Sequence, residues 1–401
     1  MVIQEHLATN VTISCDVLVC GGGFGGIAAA LSAARQGKDV VLLEKQFMLG
    51  GLGTAGPVTI YLPLCDGMGR QVSFGIAEEL LRLSISMGSE SDHPVNWLDD
   101  SLTHKRTIKD QRFDAHYNPQ LFAILVEKLF VDEGVRILYG TYAVAAVKNR
   151  DRIEAIIVEN KSGRQASCAR SFVDATGDCD IAHFAGAPTD NFKQGNLLAA
   201  WYYSLGHSGY RLNCLGCADI PENQKAGENQ IPKLVSRRFA GLDGQELSEM
   251  IHLSHTATLN DILKRRQCDE LFIPATIATI PQVRTTRKIV GEYILDDMEK
   301  HTFFADSIGM ISDWRKRGPV YEVPFTTLYS KSVKNLITAG RYTSVTDSMW
   351  DIMRVIPCCA VTGQAAGTAA ALTDDFSALD IKLLQRILTS SGVILHEKDL
   401  M

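Results

Sequence analysis

Three features of the 401-residue sequence predict an α/β fold. They are a strand, glycine turn and helix over Val17–Ala34 with a second strand behind it, a run of β-prone segments in the middle, and a buried strand leading into a long apolar helix near the C-terminus. The stretch VLVCGGGFGGIAAALSAA runs eighteen residues without a charge, which is long enough for a membrane span. Gly21, Gly22, Gly23, Gly25 and Gly26 argue against one continuous helix, since each costs about 1 kcal/mol relative to alanine. CDVLVC instead suits a strand buried on both faces, and GIAAALSAARQG a helix that stops at Gly37. Gly21, Gly23 and Gly26 fit G-x-G-x-x-G, and the strand DVVLLEK delivers Glu44 eighteen residues after the last glycine. Together these make a Rossmann-like dinucleotide-binding βαβ unit. The first glycine permits the tight turn, the second lets a pyrophosphate approach, and the third lets the helix pack closely. The helix N-terminus offers N–H groups to the phosphates, and Glu44 offers a carboxylate to ribose hydroxyls.

The rest of the chain narrows the function further. Hydrophobic residues make up 46%, charged residues 21%, and the formal net charge is −6. No basic block interleaved with aromatics occurs, so nucleic acid is not expected as a partner. MVIQEHLATN lacks the basic and apolar regions of a signal peptide, and no other segment reads as a membrane span, so a cytoplasmic protein is expected. The ten cysteines are irregularly spaced and are expected to be free thiols.

Along the chain, KQFMLGGLGTAGPVTIYLPL reads as a glycine-bearing loop opening an excursion over the ligand that extends to about His116. NPQLFAILVEKLFVDEG predicts a helix capped by Asn118, with Pro119 in its first turn and an apolar stripe of Leu121, Ile124, Leu125 and Leu129. YAVAAVKN, RIEAIIVEN and RQASCARSFVDATG predict an antiparallel meander, separated by turns at Asn149–Arg152 and KSG. VKNLITAGRYTSV reads as a buried strand closed by Gly340, and PCCAVTGQAAGTAAALT as a helix entered after Pro357. Gly363 and Gly367 share one face of that helix, suited either to another helix or to a flat ring at its N-terminal end. The expected domains are a discontinuous nucleotide domain over 1–60, 112–187 and 330–401, and an inserted mixed α+β substrate domain over 61–111 and 188–329.

DVLVCGGGFGGIAAALSAARQGKDVVLLEK, LGG, VDATGD, RTTRKIVGEYIL, DSIG and NLITAGRYTSVTDSMWDIMRVIPCCAVTGQAAGTAAAL follow one another in an order that resembles the FAD-dependent oxidoreductase family of the glutathione-reductase-like flavoproteins. The resemblance implies FAD as the cofactor. It assigns Gly21, Gly23, Gly26 and Glu44 to the nucleotide half, with Lys45, Gly50 and Gly51 beside the ribityl and adenosine portions. It places backbone near Val144 against the adenine, Thr176 and Gly177 at the phosphates, and Gly340 and Arg341 at the pyrophosphate or ribityl chain. Many superfamily members carry Asp where Arg341 stands. Since negative charge develops at the pyrimidine end of a flavin that accepts hydride, donors there lower the barrier. Amides near Thr362, Gly363, Gln364 and Ala365 are expected to supply them.

For chemistry on a small-molecule substrate, Arg284 and Arg287 could clamp a carboxylate or tie domains together. Asp347, Asp351 and Arg354 fall near the ring in this reading, although Arg354 could equally pair with Asp351 or Asp347. Cys358 and Cys359 sit at the start of the last helix, where the dipole would lower a thiol pKa, or act as small buried residues. CLGC at Cys214–Cys217 stands without a second pair, and His252 and His255 could share a helix face, so no metal site is expected. Hydride transfer at flavin N5 is the primary expectation, with an electron-carrying subunit or a redox-neutral isomerase as alternatives. The electron donor or acceptor is open, since no second G-x-G-x-x-G of similar quality occurs.

Overall fold

The computed structural model describes residues 3–4, 6–87, 115–216 and 233–400. Cys217, one half of the C-x-x-C, lies outside them. The core is a seven-stranded sheet among the described residues. Arg136–Leu138, Val40–Leu43, Val11–Cys20 and Gly163–Asp174 lie side by side in parallel. Val17–Cys20 and all of Val40–Leu43 are buried, because helices cover both sheet faces and each apolar, largely β-branched side chain finds a packing partner.

The strand Gly163–Asp174 forks. Its first half pairs antiparallel with Arg152–Asn160, which pairs with Tyr142–Asn149 and completes the expected meander. Its last residues, Phe172–Asp174, pair in parallel with Leu336–Thr338. A strand from the far end of the sequence thus closes the same sheet. The helix Phe24–Arg35 covers that junction together with Ile356–Leu372, and the two touch at backbone distance. A Cβ on Gly363 would lie 2.2 Å from Gly25 O, and one on Gly367 would lie 2.0 Å from Ala29 O. Ser32 Oγ donates to Gln364 O at 2.9 Å. Gly363 and Gly367 therefore serve helix-to-helix contact.

The helix Pro119–Asp132 begins as expected, with Asn118 Oδ1 accepting from Leu121 N at 3.0 Å. Its buried face is Phe122, Ala123, Val126 and Phe130, whereas Ile124 is 67% exposed. The stripe is rotated from the expected one because the larger phenylalanines take the core, where Phe122 joins Phe24, Tyr61 and Tyr117 in one aromatic cluster. Two helices break the expected final segment, Asp347–Met353 and Ile356–Leu372. Among the described residues no single helix is long and apolar enough to cross a membrane; this pair passes only by length and composition, with a 90° bend between its members.

Smaller sheets flank the core. Tyr202–Gly206 pairs with Gly209–Asn213 and Ile273–Thr276, and Arg287–Ile289 pairs with Thr189–Asn191. The segment linking them is tied to the glycine loop, with Gln282 Nε2 donating to Gly56 O at 2.6 Å and Thr279 N to Ala55 O at 2.9 Å.

Candidate cofactor and active site

The first strand delivers the chain into a turn that only glycine fits. Gly21 takes φ +109°, and a Cβ there would sit 2.1 Å from Ala175 O; one on Gly26 would sit 1.8 Å from Gly21 O. Gly23 differs, since a Cβ there would meet nothing within 4 Å. Packing thus fixes the first and third glycines, and the second opens onto free space. Gly23 is also the N-cap of the helix Phe24–Arg35, with no side chain capping it, so first-turn amides remain as donors for an anion.

Two more turns converge on this opening. Gly50 N donates to Gly22 O at 2.8 Å, and a Cβ on Gly51 would lie 3.3 Å from Gly23 Cα. From the C-terminal half, Gly340 comes so close that a Cβ on Gly25 would lie 2.7 Å from its Cα, while a Cβ on Gly340 itself finds only Gly25 Cα, at 3.9 Å. Thr362 Oγ1 holds that turn by accepting from Gly340 N at 3.0 Å. Glu44 is 5% exposed and fastens the arrangement, with Oε2 accepting from Gly22 N and Oε1 from Gln46 N, both at 2.7 Å. Burial pushes its carboxyl above the usual range, against the pull of those amides. The meander ladder steps from Ala143 to Ala145, so Val144 sits at a bulge, outside the paired register.

Thr176 is turned back onto the buried Asp174, whose Oδ1 accepts from its amide at 3.1 Å and its hydroxyl at 2.8 Å. Gly177, at φ +91°, presents its carbonyl to Arg341. Here the expectation for Arg341 changes. Its Nε donates to Gly177 O at 2.7 Å, Nη1 to Val283 O at 2.5 Å, and Nη2 to Asp178 Oδ1 at 3.0 Å. All three nitrogens bond inside the protein, so the side chain clamps the Gly177 turn to the Gln282–Thr286 segment. Arg287 adds a second tie, donating to Asp180 Oδ1 at 2.6 Å. Burial first, then the neighbouring Asp178 and Asp174, push the Asp180 carboxyl up to about 6, and Lys45 lies near enough to oppose them.

The last helix also corrects the sequence reading. It starts at Ile356, so the amides of Thr362, Gly363, Gln364 and Ala365 lie within its hydrogen-bonded body, packed against Phe24–Arg35. Gln364 points away, its Oε1 accepting from Ile76 N at 2.9 Å. The first-turn donors are those of Ile356 and Cys358, two turns earlier, because Val355 is the N-cap and carries no capping side chain. Nor are the thiols activated there. Burial pushes Cys359 up to about 12 and Cys358 well above its ordinary value, outweighing any help from the helix.

Of the candidates for chemistry, Asp347 is ion-paired with Lys288 at 2.7 Å, and Lys288 lies 4.6 Å over the Trp350 ring. Arg354 donates through Nε and Nη2 to Asp351 Oδ1, beside Trp314. Asp351 Oδ2 in turn accepts from Arg315, which is paired with Asp313 at 3.0 Å. Four charges thus alternate in sign in a buried chain at the start of the last helix, and the pairing leaves Arg354 Nη1 outside it. Arg284 is 4% exposed and sits 4.8 Å over Trp201. Cys214 is a free, exposed thiol. Among the described residues no group of three or more His, Cys, Asp and Glu could hold a metal.

Sequence reasoning missed two sets of residues. One is the hydroxyl pair Thr343 and Ser344, buried directly after the Gly340 turn with no hydrogen-bond partner. Two adjacent hydroxyls just past the Gly340 turn were the signal. The other joins the glycine loop to the strand Tyr202–Gly206: Thr59 Oγ1 bonds the hydroxyl of Tyr203, and Tyr117 donates to Gly53 O at 2.6 Å. No local pattern announces it, since its members come from three distant segments. The open space at Gly23, the uncapped helix start and the orphaned hydroxyls beside Gly340 together fit a dinucleotide whose two ends reach both halves of the chain.

Comparison with known proteins agrees. A stretch of 49 residues is 57% identical to 4-oxocyclohex-2-ene-1-carboxylate 5-dehydrogenase of Sinomonas cyclohexanicum, taking in 12% of this chain and 8% of that enzyme. A stretch of 81 residues is 33% identical to thioredoxin reductase of Ureaplasma parvum, 20% of this chain and 26% of the relative. Another of 144 residues is 34% identical to dihydrolipoyl dehydrogenase 3 of Haloarcula marismortui, 36% and 26% respectively. The matches thus span at most 26% of these relatives' length. A geranylgeranyl bacteriochlorophyll reductase-like structure from Thermoplasma acidophilum aligns over 94% of this chain and 84% of its own, at a TM-score of 0.44 and 14% identity, a likeness on which nothing rests. The sequence profile of FAD dependent oxidoreductases matches residues 16–198 and 190–388, nearly the whole chain; FAD is the cofactor, and the chain belongs to the FAD dependent oxidoreductase family.

Proposed function

We propose that this protein oxidises or reduces a small organic molecule by hydride transfer at flavin N5, with the 188–329 region covering the substrate. The observation that carries the reading is the convergence of the Gly21–Gly26, Gly50–Gly51 and Gly340 turns around one opening, with the Gly340 turn tied to the last helix at Thr362. Bound FAD supplies a two-electron carrier that exchanges hydride with the substrate.

The chain's own residues supply binding and electrostatics. The amides of Phe24–Gly26 would meet the pyrophosphate, and Glu44 the ribose. Thr343 and Ser344 would bond the part of the cofactor beyond the Gly340 turn. Asp351 holds Arg354 by two nitrogens, so Nη1 offers a fixed cationic donor beside the first-turn amides of the last helix. A donor held in place before reaction stabilises developing negative charge without reorganising, which is the larger part of such catalysis. Arg341 holds the substrate-side segment at its Val283 carbonyl, and Gln282 ties the same segment to the glycine loop. Arg284, on that segment, faces Trp201 as a cationic contact for substrate.

The test is an anaerobic screen of small alcohols, amines, ketones and unsaturated acids, followed by loss or return of the flavin absorption bands. Bleaching by one class, or reoxidation of prereduced enzyme by one class, is the expected result. Reduction only by a partner protein would replace this reading with that of an electron carrier, and turnover without net flavin reduction with that of an isomerase.

A further inference from the structure

We propose that Phe47 is the platform on which the adenine ring of FAD stacks, a purine-binding element that lies outside the glycine turns; the proposal rests on the FAD assignment above. Phe47 follows Glu44 by three positions and is 83% exposed. An isolated exposed aromatic is ordinary. This one is held upright in a defined place. The segment carrying it is pinned to the end of the neighbouring strand, with Glu44 N donating to Leu138 O at 2.9 Å, Thr141 N to Glu44 O at 3.1 Å, and Gly140 N to Gln46 O at 3.3 Å.

The ring stands on the backbone of Gly140. A Cβ built there would lie 2.6 Å from Phe47 Cζ and 3.2 and 3.3 Å from its two Cε atoms, so the ring meets the chain by its edge. Edge contact leaves the faces of the ring open. Tyr139 flanks it with ring centroids 6.4 Å apart and planes tilted by 31°, and is itself anchored by donating its hydroxyl to Glu127 at 2.6 Å. A few residues on, the strand passes through its bulge at Val144, where backbone groups fall outside the paired register.

The segment that carries Phe47 begins at Glu44, the residue assigned to the ribose, and is bonded to the chain that leads into the Val144 bulge, so an open aromatic face and unpaired strand backbone follow one another along it. A purine joined to that ribose is the ligand whose shape and chemistry use all of them: its face stacks, and its edge accepts and donates to the backbone. Phenylalanine gives this site its preference for a base over a bare phosphate.

The test uses full-length protein stripped of FAD, in wild-type form and as Phe47→Ala and Phe47→Tyr. Each is titrated with FAD and, separately, with ADP, by flavin fluorescence and calorimetry. The Ala variant is expected to bind both ligands about tenfold more weakly, the order of a single base stack. The Tyr variant should restore affinity, while the bound-flavin spectrum and the melting temperature of the stripped protein stay unchanged. Unchanged affinity in the Ala variant, or a loss confined to FAD with ADP unaffected, overturns the proposal and leaves the FAD assignment intact. Wild-type protein that takes up no FAD overturns the assignment on which it rests.

Discussion

The glycine turns and the arginine ties of this molecule are built by different means. Around Gly21–Gly26 and Gly340 the contacts are backbone on backbone, so close that a single added carbon would collide. Around Arg341 and Arg354 the contacts are made by charged side chains, which bond carbonyls and carboxylates and in several cases join distant parts of the chain. A phosphate is the same in every substrate-specific relative and can be met by amides alone. The substrate must be distinguished by charge and shape, and that requires side chains.

The contrast can be broken at several points. Removing the buried carboxylate that Arg354 and Arg315 share has the largest expected effect: Asp351→Asn should cost about 3–5 kcal/mol in urea denaturation, since it leaves the buried Arg354 without its carboxylate while Arg315 keeps Asp313. A cost below about 1 kcal/mol would show the charged chain to be a solvated surface feature. Gly367→Ala tests the opposite side by placing a Cβ 2.0 Å from Ala29 O. It should destabilise the protein by about 1–3 kcal/mol and loosen FAD, measured by thermal melting with and without added cofactor. Arg341→Lys keeps the charge and loses the fork, so FAD affinity should hold while KM rises several-fold, which steady-state kinetics on the substrate found by screening would read out.

The smallest effect concerns pH. The Asp180 carboxyl, pushed up to about 6, holds its proton more tightly in the folded chain than in the unfolded one. Its contribution to stability is therefore full below the ordinary aspartate range and is lost as pH rises through about 6. Wild type should lose stability relative to Asp180→Asn between about pH 4 and 6, and parallel denaturation curves across that window would show the shift to be absent.

How much could be read in advance follows the same division. The βαβ unit, the meander and the Asn118 cap were legible because each is a local pattern: glycine spacing, alternation, a capping residue before a proline. The stripe of Pro119–Asp132 was misplaced because periodicity alone cannot say which of two apolar faces holds the bulkier side chains, and Phe122 and Phe130 settled it. The helix start was legible from Pro357, but its donors were expected at Thr362–Ala365, past the first turn whose amides alone lack partners within the helix. Arg341 looked like a cofactor ligand from its neighbour Gly340. Only the fold shows that its acceptors are Gly177, Val283 and Asp178.

The forked strand Gly163–Asp174 carries a consequence for how the chain is made. Its terminal residues lie open along one edge until Leu336–Thr338 has emerged from the ribosome. More than 150 residues are synthesised in the interval, so the early half must wait with an unsatisfied ladder, a template for mispairing with a neighbouring nascent chain. Slowed translation across that interval should lower soluble yield, and a chaperone that shields strand edges should restore it.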